Sequence, residues 1–207
     1  MILFDNDVIH KLAMCDLLEN AQILIQPSQE IYVLDTAKYV LKTKIQPQSD
    51  IGKTCYARIE HFLSKTHHYV PQQLDIISQL TSVKNIDSGE AMLIEAIISH
   101  HENLFFTGDK RCLIALANSQ FYRTHLIELS GKAICLEQIL LWLIDGLGFQ
   151  EVYAKVLPAR DCDKMLKAVF TASATQANVI SGLNSYLNDL KRNTDKLLYH
   201  SIDQLVR

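Results

Sequence analysis

Apolar residues along this chain fall into two kinds of run. Short blocks of three or four stand at Ile2–Phe4, Ile31–Leu34, Leu104–Thr107 and 133–136. Between them lie longer segments in which apolar positions recur every three or four residues. These segments run from Val8 to about Asn20, Asp50 to Ser64, Leu74 to Leu80, Ser88 to His101 and Lys110 to Asn118. Short runs read as strands and periodic segments as helices, in the order β-α-β-α-α-α-β-α-β. Strands separated by helices predict an α/β fold with a short, mainly parallel central sheet flanked by helices.

The pattern changes near Gly148, which divides a compact domain over 1–148 from a helical extension over 149–207. In the extension Leu183, Leu187, Leu190, Thr194 and Leu197, continued by Ile202 and Leu205, form an amphipathic stripe. The stripe either covers the domain's own core or serves as a dimer or partner interface. Gly182 within it leaves open one helix or a hairpin.

Composition narrows the class. With 207 residues, 48% of them hydrophobic, the chain can bury a sizeable core. A net charge of −3 excludes a generally basic nucleic-acid coat but not a local basic groove. Five cysteines, widely spaced and without a C-x-x-C pair, suggest neither a disulfide framework nor a zinc site, and a reducing cytoplasm is expected. The densest apolar stretch, Ile139 to Ile144, is far short of the roughly 20 residues a membrane span needs, and no basic leader precedes the first run. No membrane anchorage is predicted.

The chemistry concentrates where strands end. "MILFDND" carries an apolar run into Asp5 and Asp7, and "NLFFTGDKR" carries another into Thr107, Gly108 and Asp109. Acids that follow neighbouring parallel strands converge on one edge of the sheet, where open α/β sheets bind ligands. A third acid, Glu90, lies in "IDSGEAMLIEAI", in the first turn of a helix whose ordinary reading for Asp87 and Glu90 is capping. An all-oxygen set of Asp5, Glu90 and Asp109 selects a hard cation, Mg²⁺ or Mn²⁺, and suits phosphate chemistry.

"ILFDND" followed by "VIHKLAMCDLL", then "DSGEAMLIEAI", then "LFFTGDKRCLIALA" resembles the PIN domain, the nuclease fold of many toxin components in prokaryotic toxin–antitoxin pairs. The likeness covers roughly the first 140 residues in element order. It implies a three-layer PIN-like α/β fold and Mg²⁺- or Mn²⁺-dependent cleavage of single-stranded RNA. Asp5, Glu90 and Asp109 would hold the metal, with Asp7 and Thr107 in support and Asp87 nearby. It also implies an antitoxin-like protein partner; a homodimer would follow from the helical tail. The family usually carries a further acid in the helix after the second strand. Here "IYVLDTAKYVLKTKI" offers only Asp35, with Lys38 and Tyr39 near the expected place. A degenerate, noncatalytic module binding RNA or protein is the alternative of a different class.

"ILFDNDVI" also looks like the first motif of haloacid dehalogenase-type phosphatases. Asp5 would then be the nucleophile, Asp7 the acid/base, and Lys84 and "TGDKR" later motifs. Against it, a helical pattern begins directly after Asp7, Leu113 stands where a second late acid belongs, and no Ser or Thr ends an intermediate strand. "PQSDIGKT" ends like a phosphate-binding loop but has Pro47 in place of its first glycine. The pairs His67–His68 and His100–His101 are poor chelators if helical, because adjacent helical residues point apart. RNA contacts are expected from Lys110 and Arg111, with Arg123 and Lys132 further off.

Overall fold

The four short apolar runs form strands, and all of them are parallel. The structure, a computed structural model, describes residues 1–24, 30–45, 49–100 and 102–200. Its elements begin with β1 (Ile2–Phe4), α1 (Asn6–Met14), α2 (Leu18–Leu24), β2 (Ile31–Leu34), α3 (Ala37–Lys44), α4 (Asp50–Leu63) and β3 (His67–Tyr69). They continue with α5 (Leu74–Thr81), α6 (Ser88–Ser99), β4 (Leu104–Thr107), α7 (Lys110–Ala117), α8 (Gln120–Thr124), α9 (Leu126–Leu129) and β5 (Ala133–Cys135). The rest is helical: α10 (Leu136–Leu147), α11 (Phe149–Val156), a 3₁₀ turn (Leu157–Cys162), α12 (Lys164–Val169) and α13 (Gln176–Asn193). Pro47, His101, Ile202 and Leu205 lie outside the described residues.

The sheet order is β3-β2-β1-β4-β5. Ile2 faces Ile31 on one side and Leu104 on the other, and Phe106 faces Ile134. Alternate strand residues enter two separate cores. Ile2, Phe4, Val33, Phe106 and Ile134 pack under α1 to α4 and α10. Leu3, Leu34, Phe105 and Cys135 pack under α5 to α9. Burial on both faces is why the strands read as continuous apolar runs instead of alternating ones. The result is the expected three-layer α/β architecture with C-terminal helices.

Three differences from the sequence reading have physical causes. β3 was not expected, because its His67 and His68 are exposed and only Tyr69 is buried. It is an edge strand carried by backbone pairing to β2, which hydrophobic periodicity does not register. The helix expected from Val8 to Asn20 is two helices. Asp16 takes a left-handed φ of 54°, while Leu17 N–H bonds Leu12 C=O at 2.8 Å and Asp16 N–H bonds Ala13 C=O at 3.2 Å. That pair of bonds is a Schellman stop, with Asp in the place glycine usually fills. The strand expected over 133–136 ends at Cys135, because Leu136 already opens α10 behind a Cys135–Gln138 capping box.

After Gly148, whose φ is +88°, the chain does not leave the domain's core. Val152, Val156, Leu166, Val179 and Leu183 join Ile2 and Phe4, while Leu187, Leu190 and Leu197 join Leu3 and Phe105. Together with Thr194, the described part of the amphipathic stripe is therefore buried within the chain itself. Gly182 sits inside α13, a single helix, where a Cβ would come within 3.1 Å of Val169. Its role is close approach to α12. Beyond α13, Leu197 C=O accepts from Ala133 N–H at 3.0 Å and Tyr199 N–H donates to Ala133 C=O at 2.8 Å, covering the outer edge of β5. No described helix is long and apolar enough to cross a membrane.

Candidate carboxylate site at the switch point of the sheet

Chain order reverses between β1 and β4: from β1 the chain proceeds outward to β2 and β3, and from β4 to β5. Such a switch point opens a crevice at the carboxyl ends of the strands. Asp5 follows β1 and Asp109 lies two residues past β4, so both stand at this crevice. The start of α6 adds Asp87, its N-cap, and Glu90. Asp5, Asp7, Asp87, Glu90 and Asp109 line one pocket, with Lys44 and Arg111 as its cations. Acids from three separate elements thus line one pocket.

Thr107 joins two of them. Its hydroxyl donates to Asp5 Oδ2 at 3.1 Å and accepts from the Asp109 N–H at 3.0 Å. Burial pushes the Asp5 carboxyl up to about 6, and the charge of Asp7 adds to the rise. Asp109 caps α7, accepting through Oδ1 from Arg111 N–H at 2.8 Å and Cys112 N–H at 3.2 Å. The Arg111 guanidinium meets its other oxygen at 3.1 Å. Burial acts to raise Asp109, but these bonds outweigh it and hold the carboxyl below its usual range.

Capping and clustering coincide at Glu90. Asp87 Oδ1 accepts from Glu90 N–H and Glu90 Oε2 accepts from Asp87 N–H, both at 2.8 Å, a reciprocal capping box. The ordinary reading of these residues is therefore correct as far as it goes. Glu90 is nevertheless 8% exposed and faces the other acids. Burial first, then the charges of Asp87, Asp109 and Asp5, push it up to about 7 against the opposing Asp87 N–H bond.

Asp7 differs from its neighbours because cations claim both its oxygens. Oδ1 meets Lys44 at 2.7 Å and Oδ2 meets Lys11 at 2.5 Å. Burial would raise this carboxyl, yet the two lysines keep it below the usual range. Lys11 reaches Gly108 C=O at 3.2 Å and Asp163 at 2.8 Å as well. Sequence reading missed Lys11, Lys44 and Asp163. The Asp7–Lys11 spacing of four on a helix was an available signal; nothing local marks the other two.

The remaining expected residues go elsewhere. Asp35 is exposed, pairs with His68 Nδ1 at 3.1 Å and lies outside the acid pocket, so the helix after β2 supplies no further carboxylate there. Lys110 turns away from the pocket to pair with the buried Glu137, its ammonium 4.5 Å from the centre of the Tyr186 ring. Of the expected RNA-contacting pair, only Arg111 lines the pocket; Arg123, Lys132 and Lys84 do not.

The donor set is all carboxylate oxygen, which fits Mg²⁺ or Mn²⁺, and the mutual repulsion that raises Glu90 is what a cation relieves. Among the described residues, however, no three His, Cys, Asp or Glu side chains stand ready-arranged as a metal centre. Caps and a hydroxyl bond engage the acids: Asp87 N–H holds the Glu90 carboxylate, Arg111 and Cys112 N–H hold Asp109, and the Thr107 hydroxyl holds Asp5. No family model, curated protein or solved structure matches this chain.

Proposed function

We propose that this chain is a PIN-like ribonuclease that uses Mg²⁺ or Mn²⁺ to hydrolyse phosphodiester bonds of single-stranded RNA. One observation carries the reading: Asp5, Glu90 and Asp109, from three separate elements, line a single pocket at the switch point of a parallel sheet. These three would hold the cation, which when bound activates water and offsets phosphate charge. Thr107 fixes the Asp5 carboxylate and the Asp109 backbone relative to each other. Lys44 and Arg111, half-exposed and exposed among the residues that line the pocket, would take the phosphates of a bound strand. By the same resemblance, an antitoxin-like protein would be the natural inhibitor.

The phosphatase reading ranks below it. An acid/base role for Asp7 needs a carboxyl that exchanges protons near neutrality, and Lys11 and Lys44 hold Asp7 ionised. A noncatalytic RNA- or protein-binding module is the second reading, favoured by the absence of a ready-arranged metal centre among the described residues.

A labelled single-stranded RNA incubated with Mn²⁺, with EDTA, and with an Asp5→Asn/Asp109→Asn protein separates these readings. Cleavage that EDTA abolishes and the folded double variant lacks supports the nuclease. RNA binding without cleavage by either protein supports the module.

A further inference from the structure

Lys11 is an unusually complete ion site for a lysine. An ammonium has three donors, and here they meet three oxygens: Asp7 Oδ2 at 2.5 Å, Asp163 Oδ2 at 2.8 Å and Gly108 C=O at 3.2 Å. Its side chain is 11% exposed. The three partners come from α1, from the start of α12 and from the turn between β4 and α7. A Cβ at Gly108 would stand 2.4 Å from Asp7 Oδ2 and 3.1 Å from Lys11 Nζ, so only glycine lets this turn close over the pair. Lys44, by contrast, meets Asp7 from the open side and is 39% exposed.

We propose that Lys11 is a built-in cation standing beside the acid pocket, that Asp163 from the C-terminal helices holds it there, and that the site in consequence takes one divalent cation, at Asp5, Glu90 and Asp109, and not a second at Asp7. The inference rests on the metal-dependent reading above and deepens it. Two carboxylates and a carbonyl around one point are the donors a hard divalent ion uses, and a fixed monovalent ammonium already fills that point. Its charge is needed: without it Asp163, mostly buried, would face Asp7 with no ammonium between them, and Asp7 would be left to Lys44 on the open side. Lys11 and Asp163 are positioning residues. The helices after Gly148, which the sequence offered as core cover or as an interface, become part of the site.

Asp163 permits a clean test because its two oxygens do different jobs. Oδ1 caps α12, accepting from Met165 N–H at 2.7 Å and Leu166 N–H at 3.1 Å, while Oδ2 holds Lys11. Asn is as good an N-cap as Asp, so Asp163→Asn keeps the helix start and removes the negative charge that faces Lys11.

Mn²⁺ binding to the full chain is measured by titration calorimetry without RNA, for wild type, Lys11→Met and Asp163→Asn. The expected result is one equivalent bound by wild type, a second equivalent or several-fold tighter binding by Lys11→Met, and one equivalent bound several-fold more weakly by Asp163→Asn. Opposite signs are what charge alone dictates; a merely structural knot would weaken binding in both variants. If Lys11→Met does not fold, Asp163→Asn carries the test, and unchanged or tighter Mn²⁺ binding by it overturns the inference. Two equivalents on wild type also overturn it. No Mn²⁺ on wild type removes the metal-dependent function itself, a different failure from weakening in both variants.

Discussion

The Thr107 hydroxyl, fully buried, bonds Asp5 Oδ2 at 3.1 Å across the boundary between the two adjacent central strands. The Thr107 hydroxyl oxygen also accepts from the Asp109 N–H, so one side chain sets the separation of two acids that the sequence places far apart. Thr107→Val leaves a buried carboxylate and an amide without this partner and should cost about 1–2 kcal/mol in denaturant unfolding. It also removes a bond that lowers the Asp5 carboxyl. The acid limb of the cleavage rate should therefore move to higher pH, and Thr107→Ser should restore it. An unmoved limb would show that Asp5 titration does not govern the rate.

The raised carboxyls make stability depend on pH in a defined direction. Asp5 at about 6 and Glu90 at about 7 bind protons more tightly in the folded chain than their ordinary values of 3.8 and 4.5 allow in the unfolded one. The native state is therefore favoured at low pH, and this contribution is lost as pH rises through the folded values, from about pH 4 to above pH 7. Without divalent cation, the chain should unfold at lower denaturant near about pH 8 than near about pH 5. Asp5→Asn should stabilise it at the higher pH by about 2 kcal/mol. Equal midpoints at both pH values would mean that neither acid is held up.

Gly108 is required by space and not by backbone conformation. A Cβ there would lie 2.4 Å from Asp7 Oδ2, with Lys11 Nζ at 3.1 Å behind it. Gly108→Ala must push the turn between β4 and α7 outward, at a cost of about 1–3 kcal/mol. Because Asp109 follows directly, RNA cleavage should fall about 10- to 100-fold. Thermal unfolding and initial rates check both, and an alanine variant with wild-type rates would show that this turn's position does not matter to Asp109.

How much of this was readable depended on whether a residue's role is local. Asp5 and Asp109 were legible because each ends a run of buried strand residues, Ile2–Phe4 and Leu104–Thr107, and such runs announce themselves. Glu90 was legible as a cap, and its place in the acid pocket followed only from its company. β3 was not, since His67 and His68 are exposed and the strand is defined by backbone pairing to Tyr32, Val33 and Leu34. The break at Asp16 was hidden because Asp stood where a left-handed stop normally shows glycine. Asp163 could not be found at all: it meets Lys11 through tertiary packing that no nearby pattern reports.

Lys110 and Arg111 are neighbours in sequence with opposite duties. Lys110 neutralises Glu137, whose carboxylate has no exposed surface. Lys110→Met therefore leaves a buried charge unpaired and should destabilise the chain by about 3 kcal/mol. RNA affinity at temperatures where the variant is folded should not change. Arg111 pairs with Asp109 at the surface, its side chain 82% exposed, and such pairs contribute little to stability. Arg111→Ala should leave unfolding unchanged within about 0.5 kcal/mol but weaken RNA binding and reduce its salt slope by about 1. Filter binding across a salt series, beside denaturant melts, decides between them. A reduced slope for Lys110→Met, or an unchanged one for Arg111→Ala, would reassign which cation meets phosphate.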